Sequence, residues 1–154
     1  MSYNEPNLVV LNGFFVSGLS VRTKNTDEFN PATAKLPSLW QQFMASEIAE
    51  NAVNSKIFGV YSDYESDAEG SYQVTAGVSL NDRTRKPGNS SVEVKPGDYL
   101  VFKDQGVMPE VVIKIWQNIW SYFAETQGYQ RNFISDFELY SGSDEVAVYI
   151  GVNR

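Results

Sequence analysis

The sequence predicts an α+β fold in which a strand-helix-strand-strand unit occurs twice, giving an antiparallel sheet with two helices and a pseudo-two-fold relation about a central cleft. Three observations predict it. Phe58-Gly59-Val60-Tyr61-Ser62 has a counterpart in Phe137-Glu138-Leu139-Tyr140-Ser141, and Val74-Thr75-Ala76-Gly77-Val78 has one in Val148-Tyr149-Ile150-Gly151-Val152. Each pair of segments is preceded by one amphipathic stretch of helical period. The chain of 154 residues is read as one domain, 1–154, with repeat halves over about 8–81 and 91–153. A domain of this size removes about 70% of its unfolded surface from water, so a substantial core is expected.

The first extended, glycine-punctuated segment runs from about Leu8 to Lys24. A helix should begin near Pro37, because proline suits the first helical turn, and Leu36, Leu39, Trp40, Phe43 and Ile48 then share a stripe that ends near Asn54. The strands around Phe58 and Val74 follow, joined by an acidic tip, Asp63 to Gly70. That tip does not fit a calcium loop, which needs a glycine at its centre and a glutamate at its end, where counting from Asp63 finds Ala68 and Val74. It reads as a solvated hairpin end. Arg83, Arg85 and Lys86 sit beside Pro87 and Gly88 and read as a solvated connector. A second extended segment, from about Ser91 to Gln105, leads to a helix starting at Pro109 with Glu110 in its first turn. Val112, Ile115, Trp116, Ile119, Trp120 and Phe123 form its broader apolar stripe, and Gly128 is a natural stop.

Composition removes whole classes of chemistry. There is no cysteine and no histidine, which excludes disulfides, thiolate nucleophiles, zinc sites of the usual kind and histidine-based triads. No phosphate-binding glycine loop or dinucleotide fingerprint occurs, so no cofactor and no metal are expected. A net charge of −7 repels a phosphate backbone, so direct binding to nucleic acid is not expected. No apolar run has the length of a membrane span and the start lacks a signal pattern, which makes a cytoplasmic protein the expectation. Aromatic residues reach 14%, enough that some rings can line a cavity.

Strand alternation then locates the candidate site. Gly59 and Tyr61 share one face of their strand, and Glu138 and Tyr140 share the equivalent face of theirs, so the repeat sets a carboxylate where its twin has only a glycine. In the last strand Val146, Val148, Ile150 and Val152 form an aliphatic face, which leaves Tyr149 on the other and places it as a neighbour of Glu138. An ionised carboxylate removed from water costs several kcal/mol unless it is paired. Glu138 is therefore a counter-ion for a cationic ligand, a solvent-facing edge residue, or one half of an ion pair with Arg22 or Arg131. Trp40, Trp116, Tyr61, Tyr140 and Tyr149 are candidate ring walls, contributing roughly 0.5–2 kcal/mol each to a desolvated cation. For the two tryptophans, packing along the helix stripes is the competing role.

At these residues the chain resembles the GyrI-like, or AraC-type effector-binding, domain family. The resemblance runs through Gly18-Leu19-Ser20-Val21-Arg22-Thr23, Leu36-Pro37-Ser38-Leu39-Trp40, Phe58-Gly59-Val60-Tyr61, Lys95-Pro96-Gly97-Asp98-Tyr99-Leu100-Val101-Phe102 and Asp136-Phe137-Glu138-Leu139-Tyr140. It implies a ligand cleft between the halves, with a central glutamate and aromatic rings that accept lipophilic cations. The chain looks like the stand-alone members, including those carried on integron cassettes, rather than those that follow a DNA-binding segment. A separate DNA-binding regulator or DNA gyrase is the macromolecular partner that the resemblance implies. Ala147 departs from relatives that carry a further acidic residue in the last strand.

The functional expectation is a small-molecule binding protein with no catalytic residues. The alternatives are a hydrolase in which Glu138 activates water beside a tyrosine, and a gyrase inhibitor whose acidic surface mimics nucleic acid.

Overall fold

The computed structural model describes residues 6–46, 56–66, 70–80, 90–125, 128–141 and 144–153. In chain order its elements are β1 (Asn7–Leu11), β2 (Phe14–Lys24), α1 (Asn25–Glu28), α2 (Leu36–Met44), β3 (Ile57–Ser62), β4 (Ser71–Leu80), β5 (Ser90–Val94), β6 (Gly97–Gln105), α3 (Glu110–Glu125), β7 (Gln130–Tyr140) and β8 (Glu145–Asn153). The strands make one eight-stranded antiparallel sheet in the order β1-β6-β8-β7-β3-β4-β2-β5. Exchanging β1 to β4 for β5 to β8 leaves that order unchanged. The repeat in the sequence is therefore also a two-fold relation in the sheet, centred on the β3–β7 pair.

Each extended segment proves to be two strands where one was expected. Gly13 breaks the first at φ +89°, and Gly97, after Pro96, breaks the second at φ +146°, conformations open to glycine and strained for other residues. The consequence is an exchange of strands: β1 pairs with β6 of the other half, and β5 pairs with β2.

The helices also differ in detail from the sequence reading. A single turn, α1, precedes α2, and its Glu28 caps the longer helix from a distance. Glu28 Oε2 accepts the Lys35 N–H at 2.9 Å and Oε1 the Leu36 N–H at 3.2 Å, satisfying donors that the first turn of a helix leaves without internal partners. Ile48 and the expected end of this helix near Asn54 lie outside the described residues, as do Arg83 to Gly88 and the tip residues Asp67 to Glu69. In α3 the buried line is Val111, Ile115, Ile119 and Tyr122. The helix has more apolar residues than one sheet-facing stripe can take, so Trp116 turns to the flank and Trp120 outward, 40% exposed.

Alternation divides the core in two. On one face α2 covers Tyr72, Val74 and Ala76, and α3 covers Leu100, Phe102, Val146, Val148 and Ile150. On the other, Phe58, Val60 and Phe137 from the central strands meet Val94 of β5, with Val9 and Leu11 of β1 packed alongside. Central and edge strands share one cluster because the sheet curls on itself. Full burial of side chains such as Phe43, Ile115 and Ile119 contributes about 1.5–3 kcal/mol each.

Candidate functional site

The site is built where the two halves meet. In the β3–β7 register Gly59 stands directly opposite Glu138, with Tyr61 opposite Asp136 and Ile57 opposite Tyr140. Both strands are central, and across β7–β8 Glu138 pairs with Val148, which α3 covers, so the face carrying Glu138 lies beneath the helices and Glu138 is 3% exposed. The edge-strand reading of Glu138 is thereby corrected.

Three neutral donors converge on the carboxylate. Oε2 accepts the Tyr61 hydroxyl at 2.9 Å and the Trp116 Nε1–H at 2.7 Å, while Oε1 accepts the Tyr140 hydroxyl at 2.7 Å. Trp40 arrives from α2 through the space that Gly59 leaves: a Cβ on Gly59 would lie 2.9 Å from Trp40 Cζ2 and 3.1 Å from Glu138 Oε1. Trp40 packs edge-on to Tyr140 with centroids 5.4 Å apart, and Tyr61 meets Trp116 at 5.3 Å. Each half thus supplies one tyrosine and one tryptophan to a single carboxylate.

Burial pushes the Glu138 carboxyl above its ordinary value of 4.5, although the hydrogen bonds from Tyr140, Trp116 and Tyr61 pull it back. The Tyr61 and Tyr140 phenols are held well above their usual range, first by burial and then by the adjacent carboxylate, so they remain donors throughout the ordinary pH range. Among the described residues no lysine or arginine lies within ion-pair distance of Glu138. Neither arginine considered as its partner is engaged with it. Arg131 binds Asp136 at 2.7 Å, and Arg22 donates to Ser71 Oγ at 3.1 Å.

Asp136 shows what a satisfied carboxylate looks like two residues away on the same face. It is fully buried and accepts Arg131, the Gly151 N–H at 2.8 Å and the Tyr64 hydroxyl. Its charge is matched within the fold, whereas among the described residues that of Glu138 is met by neutral groups alone.

Tyr149 does not belong to this constellation. The β7–β8 register sets it opposite Phe137, on which it stacks with centroids 4.4 Å apart and planes 10° from parallel, while Glu138 faces Val148. Directly opposed residues share a sheet face, so Tyr149 sits in the curled interior and the aliphatic residues of β8 accompany Glu138 under α3. The alternation was read correctly but assigned to the wrong side. Two further residues escaped the sequence reading. Tyr72, whose ring lies 5.5 Å from Tyr61, alternates with Val74 and Ala76 and could have been found from that. Asp136 follows from alternation with Glu138 and from its separation of five residues from Arg131.

Among the described residues there is no group of acidic side chains that could hold a metal ion, and no helix long and apolar enough to cross a membrane.

Known proteins place this geometry in context. The integron cassette protein VCH_CASS2 of Vibrio cholerae is 36% identical, with a TM-score of 0.89 over 98% of this chain and 97% of that one. The Bacillus subtilis (strain 168) protein named "Putative transcriptional regulator protein YobU" is 28% identical over 150 residues, covering 90% of this chain and 91% of YobU. SAV2435, solved bound to tetraphenylphosphonium, shares the fold at 16% identity and a TM-score of 0.76, over 97% of this chain and 94% of its own. The effector-binding resemblance read from the residues agrees with these likenesses. The profile of the integron-associated effector binding proteins matches residues 7–152, nearly the whole chain, and the chain belongs to that family.

Proposed function

We propose that this protein binds lipophilic cations, with Glu138 as their counter-ion and Tyr61, Tyr140, Trp40 and Trp116 as the ring walls. One observation carries the reading: a buried carboxylate surrounded by aromatic rings, with no basic partner among the described residues. Its three donors leave part of its acceptor capacity unused, and a quaternary cation needs no hydrogen bond, only a negative charge and π-faces. Because Tyr61, Tyr140 and Trp116 donate toward an anion, their rings gain electron density, which strengthens their attraction for positive charge. Two or three such contacts with one carboxylate support micromolar affinity, about −8 kcal/mol. Tetraphenylphosphonium on SAV2435, a protein of the same fold, supports this class of ligand.

The role is binding without turnover, and the acidic pI of about 4.5 directs the response to a separate DNA-binding regulator rather than to DNA itself. The regulator designation of YobU supports that outlet. The test compares methyltriphenylphosphonium with triphenylphosphine oxide, which has nearly the same shape but no charge. Intrinsic fluorescence of Trp40 and Trp116 should report tighter binding of the cation, which is recovered with unchanged mass. Equal affinity for the two would remove Glu138 from the mechanism, and a changed mass would replace binding with catalysis.

A further inference from the structure

We infer that Phe29 and Trp120 form an outer aromatic subsite that takes an aryl arm of the cation whose charge lies at Glu138. The inference rests on the counter-ion reading of Glu138 and extends it to the shape of the ligand.

Phe29 is 70% exposed and Trp120 40% exposed. Single exposed apolar residues are ordinary, but these two are joined. Their rings meet edge-on with centroids 6.4 Å apart, although one follows α1 and the other lies on α3 in the opposite half of the repeat. Trp120 in turn lies 6.3 Å from Trp116, whose Nε1–H is bonded to Glu138. A continuous line of rings therefore leads from the buried carboxylate through Trp116 and Trp120 to Phe29 at the surface.

The segment bearing Phe29 is held in place by its own polar groups. The Phe29 N–H donates to Asn25 O at 3.1 Å, and the Asn30 N–H to Asp27 O at 3.3 Å. The Thr33 hydroxyl donates to Asp27 O at 2.8 Å, and Asn30 Oδ1 accepts the Ala32 N–H at 2.9 Å. Glu28, the residue before Phe29, is tied to Thr23 and to the start of α2. These bonds fix the backbone of a residue whose side chain is mostly in water, which keeps an aromatic face preorganised at little further entropic cost on binding. The ligand class that fits is a cation with one compact charged centre and a rigid arm ending in an aromatic ring. Ring-to-ring contact of this kind should contribute about threefold to tenfold in affinity, about 0.7–1.4 kcal/mol.

The experiment measures calorimetric affinities for methyltriphenylphosphonium and for (biphenyl-4-ylmethyl)triphenylphosphonium, which differ only in the arm. The native chain should prefer the armed cation by about threefold to tenfold. Phe29→Ala and Trp120→Ala should each reduce that preference while leaving methyltriphenylphosphonium within about twofold, and Trp120→Phe should retain it. Glu138→Gln should weaken both cations alike. A native chain without preference, a preference that survives both alanine variants, or an equal loss for both ligands in those variants overturns the outer subsite even when Glu138→Gln behaves as expected. If Glu138→Gln changes neither affinity, the counter-ion reading falls instead, and the outer rings are left as a neutral aryl contact. Phe29 is so exposed that its alanine variant tests the inference even if Trp120→Ala misfolds.

Discussion

Replacing Glu138 by Gln keeps the length and planar end of the side chain and removes only its charge. An amide oxygen in the Oε2 position keeps the bonds from Tyr61 and Trp116, and the amide nitrogen then donates to the Tyr140 oxygen, which turns its own proton away. Charge-assisted bonds are about twice as strong as neutral ones of about 1 kcal/mol, so the exchange forfeits about 1 kcal/mol at each of three contacts, about 3 kcal/mol together. Against that stands the cost of keeping an ion away from water, several kcal/mol where, among the described residues, no opposite charge stands beside it. Burial is the first cause that raises the Glu138 carboxyl above its ordinary value, which is the direction expected where the cost of desolvation outweighs the hydrogen bonds.

The ligand-free Glu138→Gln variant should therefore be more stable than the native chain at neutral pH by about 1 kcal/mol, a rise of about 2–4 °C in Tm for a domain of this size. A group whose folded pKa is raised contributes stability that is fully present below its unfolded pKa and is lost as pH climbs through the folded value. The gap should accordingly be absent well below pH 4.5 and open as pH rises above it. Cation affinity should fall at least about tenfold, about 1.4 kcal/mol. Thermal melts across this pH range, paired with titration of methyltriphenylphosphonium, measure both quantities. A variant that melts lower at neutral pH and binds the cation as tightly as before would refute the argument, since that is the behaviour of an internally paired glutamate.

Cation affinity in the native chain should weaken on acidification beginning above pH 4.5, as the raised Glu138 carboxyl takes up its proton, and stay level toward pH 9 because Tyr61 and Tyr140 keep theirs; calorimetry across that range checks it. Asp136→Asn should cost about 3–5 kcal/mol in denaturant unfolding, because it leaves Arg131 buried and unpaired. It is thus opposite in sign to the change two residues away. Gly59→Ala should displace the Trp40 ring from its 2.9 Å approach, destabilising by about 1–3 kcal/mol and shifting tryptophan emission. Tyr61→Phe should raise the Glu138 pKa further by removing a donor, while Tyr149→Phe, on the far face of the sheet, should leave cation binding within about twofold.

The class of fold and most of the site were legible because repetition and alternation are local properties of the sequence. The equivalence of Gly59 and Glu138 needed only two matched segments, and the pairing of these residues across β3 and β7 follows once the halves meet at those strands. The side of the sheet on which that pair lies is a different kind of information. It depends on which aliphatic set the helices cover, and β8 offers Val146, Val148 and Ile150 without saying what covers them. Tyr149 was misplaced for that reason. The outward turn of Trp120 was equally invisible, because periodicity gives the width of an apolar stripe but not the rotation of the helix that carries it. The strand breaks at Gly13 and Gly97 were visible as glycines, yet the exchange they permit depends on the other half being present.

The direct opposition of Gly59 and Glu138 constrains how such a site can arise. Facing residues in an antiparallel pair have Cα atoms only about 4.5–5.5 Å apart. Two identical halves assembled as a symmetric dimer would set carboxylate against carboxylate at that position, a destabilising arrangement, or glycine against glycine, with no charge at all. A single negative centre on the axis requires halves that differ, and joining them in one polypeptide is what guarantees that unlike halves always meet. The exchanged strands β1 and β5 reinforce this by completing each half with a piece of the other. Covalent continuity here sets the charge of the central pair: one carboxylate facing one glycine, for each chain.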